Sequence, residues 1–558
     1  MMRTKRTAKL AAVLAALAAM SASPAAAAIC GDLNNDGSVT IVDVVRMANC
    51  VAGLCNESAE CGGDGLADCG DTFGDGSTGV AQTEDLNQLV FQVAGLETLH
   101  DLCAPVGPAI ACAGGTVTLP SGSITSSQHW PASCTVKLNG TVVVDTPDGE
   151  PTTVLTIDAG STVQGVKGTV DPAALIILPG AKISAIGSAA QPIVFTSDQP
   201  NESRGKGDWG GLMLNGRSTV NRPNCSNSAE GVPDSYGGCD ANDSSGVMRY
   251  VRIEYAGRLF TPNNELNAFT MNGVGRGTDL SYIHAHIGAD DCIEWFGGTV
   301  NSHHMVASGC ADDGFDWQLG FTGAMQYGLY VANGALTDAS VRDARAIEAD
   351  NSEFGNNDLP RSDAKMCNLT LVGARAQAVD NGGTDVGILF RRGTAGTVAN
   401  AIITGFQDAG IELRDASTTQ VACTDANADG TPEGLTGSLV VQSSIFYANG
   451  DFPGAGTEHA KSGTIMGSAC DPNEWYSLLP DVTADGANPV NPNIVTDYPA
   501  DGALFQARPN AAVVGAPPAT DCTLISDVFE DAPYIGAMDP AGPPQGWLST
   551  PWNSFDPD

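Results

Sequence analysis

Basic residues are scarce in this sequence. Its 558 residues include 26 Lys and Arg against 64 Asp and Glu, a formal net charge of -38. Such a chain repels phosphate polymers and acidic lipid, which excludes nucleic-acid binding and adhesion to anionic membrane surfaces. Aromatic residues are few, at 6%, and helix-forming runs are scarce beyond the N-terminal region. After Met20 no stretch is apolar for long enough to span a bilayer. The 16 cysteines form no Cys-x-x-Cys-His haem site and no paired Cys-x-x-Cys zinc pattern. A chain of this kind fits an extracellular protein that binds divalent cations, or one whose acidity serves only solubility.

Residues 1–28 read as a secretory signal. Arg3, Lys5, Arg6 and Lys9 precede an apolar core from Leu10 to Met20, and Ala26-Ala27-Ala28 offers a small-residue cleavage site. The expected location is therefore secreted, extracellular or cell-surface. All the cysteines follow this segment, and in an exported chain they are expected to form disulfides whose pairing the sequence leaves open.

Between Leu280 and Gly320 one phrase occurs twice. Asp290-Asp291-Cys292-Ile293-Glu294-Trp295 is answered 22 residues later by Asp312-Asp313-Gly314-Phe315-Asp316-Trp317. A repeat of this length is one coil of a solenoid. On adjacent coils, matched residues stack at the strand spacing of about 4.8 Å. Asp290 then lies over Asp312, Asp291 over Asp313, and Glu294 over Asp316. Six carboxylates so placed repel one another, so either a cation sits among them or some hold protons. Alternation puts Ile293 and Trp295 on one side and Glu294 on the other, which predicts a buried Trp295–Trp317 pair.

Other echoes support the solenoid. LTIDAGSTVQGV at 155–166 resembles LIILPGAKISAIG at 175–187 at an offset of 20. RYVRIEYAG at 249–257 aligns with SYIHAHIGA at 281–289, and DVGILFRRG at 385–393 with DAGIELRDA at 408–416. Coils with period-2 apolar positions and Gly or Asn at turns predict a right-handed parallel β-helix. Residues 415–435 and 450–500 read as loops off it. The domains expected are a signal peptide at 1–28, a small calcium module at 29–100, a linker or N-terminal cap at 101–140, and the β-helix with a C-terminal cap at 141–558. Trp547 and Trp552 are expected to cap the last coil.

The calcium module rests on the pattern D-x-N-x-D-G near Cys30. Asp32, Asn34 and Asp36 supply side-chain oxygens, Ser38 a backbone carbonyl, Thr40 a side chain or a water, and Asp43 the closing carboxylate. A weaker copy begins at Cys69, with Asp71, Asp75 and Asp85 as candidate ligands and Phe73 where a ligand belongs. The pair resembles the dockerin type I repeat, in which Asp closes the loop. That resemblance implies calcium and a cohesin-type partner domain, and a non-docking calcium staple fits the same residues. From about residue 140 onward, GDWGGLMLNG, RYVRIEYAG, DDCIEWFGGTVNSHH, DDGFDW and YIGAMDPAG resemble a group of secreted bacterial proteins with a pectin-lyase-like β-helix.

β-Helix enzymes that act on acidic polysaccharides work on one outer face, where successive coils build a groove. For hydrolysis the candidate acids and bases are Asp290, Asp291, Asp312 and Asp313, with His303 or His304 beside them. His284 and His286 share a strand face and extend the possible histidine group. For calcium-assisted lyase chemistry the basic candidates are Arg391, Arg392 and Arg414, read as lying several coils from the carboxylates. The Trp-Ile-Asp-His run of pectate lyases is absent. Glu294 and Asp316 are candidate metal ligands, and an Asp ladder that only caps turns is the simpler alternative. The chain is expected to bind or process an extracellular polysaccharide as a hydrolase or lyase, or to serve as a non-catalytic adhesive surface protein.

Overall fold

In a computed structural model, the described residues are 107–555, less 231–234, 262–263, 334–344, 375–384, 425–432, 451–459, 463–471, 484–489, 495–503, 510–512, 514 and 544–545. The signal segment and the calcium-loop candidates Asp32, Asn34, Asp36, Ser38, Thr40, Asp43, Asp71, Asp75 and Asp85 lie outside them.

Short alternating segments separated by tight turns leave each strand able to pair only with the coil above and below. One 25-stranded sheet results. It wraps into three parallel faces, the architecture of a parallel β-helix. The first face runs from Gln128–Trp130 through Val154–Ile157 and Lys182–Ile186. It continues in the leading halves of Gly246–Glu254, Asp279–His286, Asn301–Ser308, Ala324–Val331, Asp363–Val372 and Ala395–Thr404. The trailing halves of these strands form the second face. The third face contains Ala174–Ile177, Gly211–Asn215, Phe269–Asn272, Ile293–Phe296, Phe315–Gln318, Arg345–Asp350, Val386–Arg391 and Ala409–Leu413.

From Gly246–Glu254 onward, the corner between faces one and two is a single residue in left-handed conformation. It is Tyr250 (φ 49°), Tyr282 (54°), His304 (57°), Tyr327 (63°), Asn368 (57°), Asn400 (53°) and Ser443 (48°). Non-glycine residues adopt this region only where their surroundings hold them there. Here the rings hold one another. Tyr250 stacks on Tyr282 at 4.3 Å, Tyr282 on His304 at 4.3 Å, and His304 packs on Tyr327 at 4.6 Å.

The 22-residue repeat is realised in register, with Ile293 opposite Phe315, Glu294 opposite Asp316 and Trp295 opposite Trp317. The offset between 385–393 and 408–416 also holds, with Ile388 opposite Ile411. The echo between 155–166 and 175–187 does not stack. Val154–Ile157 pairs with Lys182–Ile186, and Ala174–Ile177 pairs with Gly211–Asn215. Strands on different faces of a coil share the same alternation and glycine turns, so they imitate a repeat without being one. Strands begin earlier than residue 141: Thr116–Ile124 pairs with Thr135–Val144, and Cys112–Cys134 ties this first coil. The loop-like region after Leu413 includes a short helix, Ala416–Ala422, capped by the Asp415 side chain.

Inward positions of the third face build the core. Met271, Trp295, Trp317, Ala349, Phe390 and Leu413 form one column, and all are fully buried. Parallel strands need cover on both sides. For the second face the outer cover comes from the chain's own end. Val306, Leu329, Val331 and Val372 pack under Phe505, Met538, Leu548, Trp552 and Phe555. This strap is fastened at several points. Cys522 is bonded to Cys367. Asn400 and Thr520 exchange two hydrogen bonds of 2.8 Å. Gln326 and Glu530 exchange bonds of 3.0 and 2.8 Å. Trp547 and Trp552 therefore do not cap the last coil. Trp552 stands edge-on to Tyr250 and Tyr282, and Trp547 edge-on to His304, far earlier in the stack.

Candidate metal centre

Asp290, Asp291, Asp312 and Asp313 occupy the turns that lead from the second face to the third, and Cys292–Cys310 ties these two coils together. Each turn is followed by a strand whose outward residue is again acidic. Thr270, Glu294, Asp316, Glu348, Leu389 and Glu412 form that outward column. Carboxylate oxygens of Asp290, Asp291 and Asp312 lie within 4.8 Å of one another, and so do those of Asp291, Glu294 and Asp316. Asp290 and Asp312 are half-buried. Asp291, Glu294, Asp313 and Asp316 are 7%, 4%, 2% and 7% exposed.

The neighbours satisfy these groups unevenly. Asp291 Oδ1 accepts from the Asp313 backbone N–H at 2.8 Å. Asp313 accepts from the Arg345 backbone N–H at 2.6 Å, and the Arg345 guanidinium bridges it to Glu348, at 3.4 and 2.7 Å. Glu294 accepts from the amides of Asn267 and, at 3.0 Å, Gln318. Arg391 pairs with Glu348 and, at 2.7 Å, with Asp350, which Arg392 also holds at 2.6 Å. Asp316 Oδ1, by contrast, is buried without a hydrogen-bond partner.

The electrostatics follow from this crowding. Burial, and then the charges of Asp290 and Glu294, hold the Asp291 carboxyl well above its ordinary range. Burial and then Asp316 do the same to Glu294, and burial and then Asp350 to Asp316. Asp313 is raised by burial and restrained by Arg345. Eight carboxylates, counting Glu348 and Asp350, face the three guanidinium groups of Arg345, Arg391 and Arg392. The donors that converge here are all oxygens, the set preferred by a hard cation such as calcium and poor for zinc or copper.

The arginines belong to this face, contrary to the wide separation expected from sequence. Asp316 pairs with Glu348, and Glu348 with Leu389, so Arg391 is only two coils away. The described strands pair directly, so distance along the sequence overstates the number of coils between them. The histidines are elsewhere. His304 is a corner residue between faces one and two, under Trp547. His303 touches His304 at 2.8 Å, and burial pulls its ring down to about 4. His284 and His286 both hydrogen-bond Ser308 Oγ, at 2.8 and 2.9 Å, on the strap-covered second face. Arg345, Glu348, Asn267 and Gln318 were not anticipated. The one signal for them was the acidic phrase Glu348-Ala349-Asp350, which continues the outward column.

A second acidic pair lies further along. Asp385 accepts from the Gln407 backbone N–H at 2.9 Å, and Asp408 accepts from the Asp385 N–H at 2.9 Å. Burial, opposed by the Gln407 N–H and assisted by Asp408, pushes the Asp385 carboxyl up to about 7. A raised carboxyl stabilises the fold in its protonated form, fully below the ordinary carboxylate range, and that contribution is lost as pH rises through about 7. Asp385→Asn keeps the acceptor and cannot ionise. It is expected to match the parent near pH 4 and to exceed it above pH 7, by about 4 kcal/mol. Thermal unfolding at the two pH values checks the sign.

Comparisons with known proteins agree with this architecture. No curated protein and no solved structure matches the chain. Four disulfides are formed among the described residues, where no helix is long and apolar enough to cross a membrane. The family model described as "Pectate-lyase like beta helix domain" matches residues 122–443. With more than half its length matched, and with three parallel faces stacked over a continuous core, the chain belongs to the pectate-lyase-like β-helix family.

Proposed function

We propose that this protein is a calcium-dependent binder of an anionic extracellular polysaccharide, and that the polymer meets it at the turns carrying Asp290, Asp291 and Asp312. The observation that carries this reading is the half-buried rim. Asp290 and Asp312 remain partly open to solvent while their oxygens converge with that of Asp291. A cation held there keeps coordination positions for the carboxylate of a uronate unit, and Arg392 and Arg414, both partly exposed, offer charge to neighbouring units. Family membership supports a polysaccharide as the polymer. Residues 1–28 act as the export signal in this reading, and 29–100 as a dockerin-like calcium module for a cohesin-type partner.

Binding is favoured over elimination, since burial lowers Arg391 only to about 10 and its ion pairs with Glu348 and Asp350 keep it a cation rather than a base. Hydrolysis by Asp290, Asp291, Asp312 and Asp313 lacks its expected histidine, because His304 stands on another corner.

Affinity electrophoresis in polyuronate and neutral polysaccharide gels, with calcium or chelator, tests the proposal. Retardation by polyuronate alone, present with calcium and reduced at least about tenfold in Asp312→Asn, is the expected result. Equal retardation in chelator, or none on any anionic polymer, overturns it. Absorbance of unsaturated uronate and new reducing ends, followed in parallel, separate elimination from hydrolysis and from binding alone.

A further inference from the structure

We propose that Asp291, Glu294 and Asp316 form a second, inner divalent-cation site, structural in role, which clamps successive coils of the third face and shares Asp291 with the rim. The proposal stands whether or not the rim binds a polysaccharide. It rests on two independent observations. Three carboxylates from two coils converge within 4.8 Å, and all three residues are more than nine-tenths buried. Asp316 Oδ1, on one of those residues, has no hydrogen-bond partner at all.

The neighbouring guanidinium groups make their ion pairs with other carboxylates, and of them Arg391 still draws on Asp316 from a distance. Arg345 is committed to Asp313 and Glu348, and Arg391 to Glu348 and Asp350. Among the described residues, the hydrogen-bond donors to Glu294 are neutral amides, those of Asn267 and Gln318. The carbonyl oxygens Asn267 Oδ1 and Gln318 Oε1 are themselves buried and unpartnered. Reversal of either amide turns a neutral oxygen toward Glu294 and toward a cation held by it. Three carboxylates plus two amide oxygens, some carboxylates binding through both atoms, give the six to eight oxygens that calcium takes. Magnesium demands a tighter octahedron and retains water, which a closed pocket of acids does not provide. A dication here would replace mutual repulsion across the Glu294–Asp316 rung with attraction to a common centre.

Terbium, which replaces calcium and luminesces when a nearby tryptophan is excited, tests the site in the full chain. Trp295 and Trp317 are the residues next to Glu294 and Asp316. Residues 1–106 contain no Trp or Tyr, so the N-terminal loops carry no ring of their own to sensitise terbium under tryptophan excitation. The parent protein is expected to show saturable luminescence that calcium displaces. Asp316→Asn and Glu294→Gln are expected to lose the inner site's share of it, while Asp312→Asn loses only the share of a cation held at the rim. Unchanged luminescence in Asp316→Asn overturns the site. Thermal unfolding gives a second reading that does not depend on terbium. Calcium is expected to raise the midpoint of the parent and to raise that of Asp316→Asn less. In chelator Asp316→Asn is expected to be the more stable of the two, because Asn removes a buried carboxyl crowded by its acidic neighbours. A calcium-induced rise that is the same in both proteins also overturns the proposal.

Discussion

Cys522→Ser is expected to lower the stability of the β-helix by about 3–5 kcal/mol, more than the loss of any single hydrogen bond along the strap. The bond from Cys522 to Cys367 spans 155 residues of sequence. Chain-entropy reasoning assigns a closed loop of that size about 5 kcal/mol, a value that residual structure in the unfolded chain reduces. Serine suits the vacated position. Asn368 Oδ1 lies 3.1 Å and Asn400 Nδ2 3.3 Å from the sulfur, so a hydroxyl there finds both an acceptor and a donor. The loss therefore reports the cross-link itself. The effect should also be localised. A solenoid is stabilised by contacts between neighbouring coils, and the strap adds ties that reach from Asn400 to Tyr250. Without the cross-link, the segment carrying the exposed Leu524 and Val528 is expected to open first. Urea unfolding followed by tryptophan fluorescence measures the first effect. Limited proteolysis with mass mapping measures the second, as faster cleavage near 524–528. An unchanged midpoint with unchanged cleavage would reduce the strap to a passive tail.

What the sequence disclosed depended on whether a feature was carried by neighbours in the chain. The coil from Ile293 to Phe315 has no insertion, so its 22-residue offset and the Glu294–Asp316 rung were readable directly. Burial of Trp295 and Trp317 followed from alternation alone, because an acid between Ile293 and Trp295, or between Phe315 and Trp317, must point the other way. The next rung, Glu348, was obscured by the segment at 334–344. That same insertion made Arg391 look remote from carboxylates it in fact pairs with. The strap was illegible for a different reason. Its residues have no periodicity, and their partners lie up to 299 positions away, as with Arg252 and the Pro551 carbonyl. Aromatic residues near a chain end suggest an end cap, and nothing local shows that Trp552 lands on Tyr250 and Tyr282. His304 misled through backbone geometry. It follows His303 in sequence, but the left-handed bend at His304 turns the chain there, at a corner remote from the acidic turns.

Trp317→Ala is expected to cost about 3–5 kcal/mol, the range for deleting a large buried aromatic side chain. Trp317 is fully buried, packs at 6.5 Å against Phe390, and donates its Nε1–H to Thr394 Oγ1 at 3.2 Å. Its column neighbour on the following coil is Ala349, too small to move into the space, so the cavity remains and Thr394 loses its donor. Calorimetry of the variant measures the loss. The same substitution separates two roles for this tryptophan. A ring that served as an outer platform for sugar would, when removed, weaken polysaccharide retention and leave stability intact. An inward ring does the reverse, and at a temperature where the variant remains folded its retention per molecule is expected to equal the parent's. Its terbium signal should fall only in part, since Trp295 still borders Glu294 and Asp316 still contributes its carboxylate. Complete loss of the signal in folded Trp317→Ala would mean that the tryptophan stack itself positions the acidic rung. The core column and the outward carboxylates would then be two sides of one rigid element.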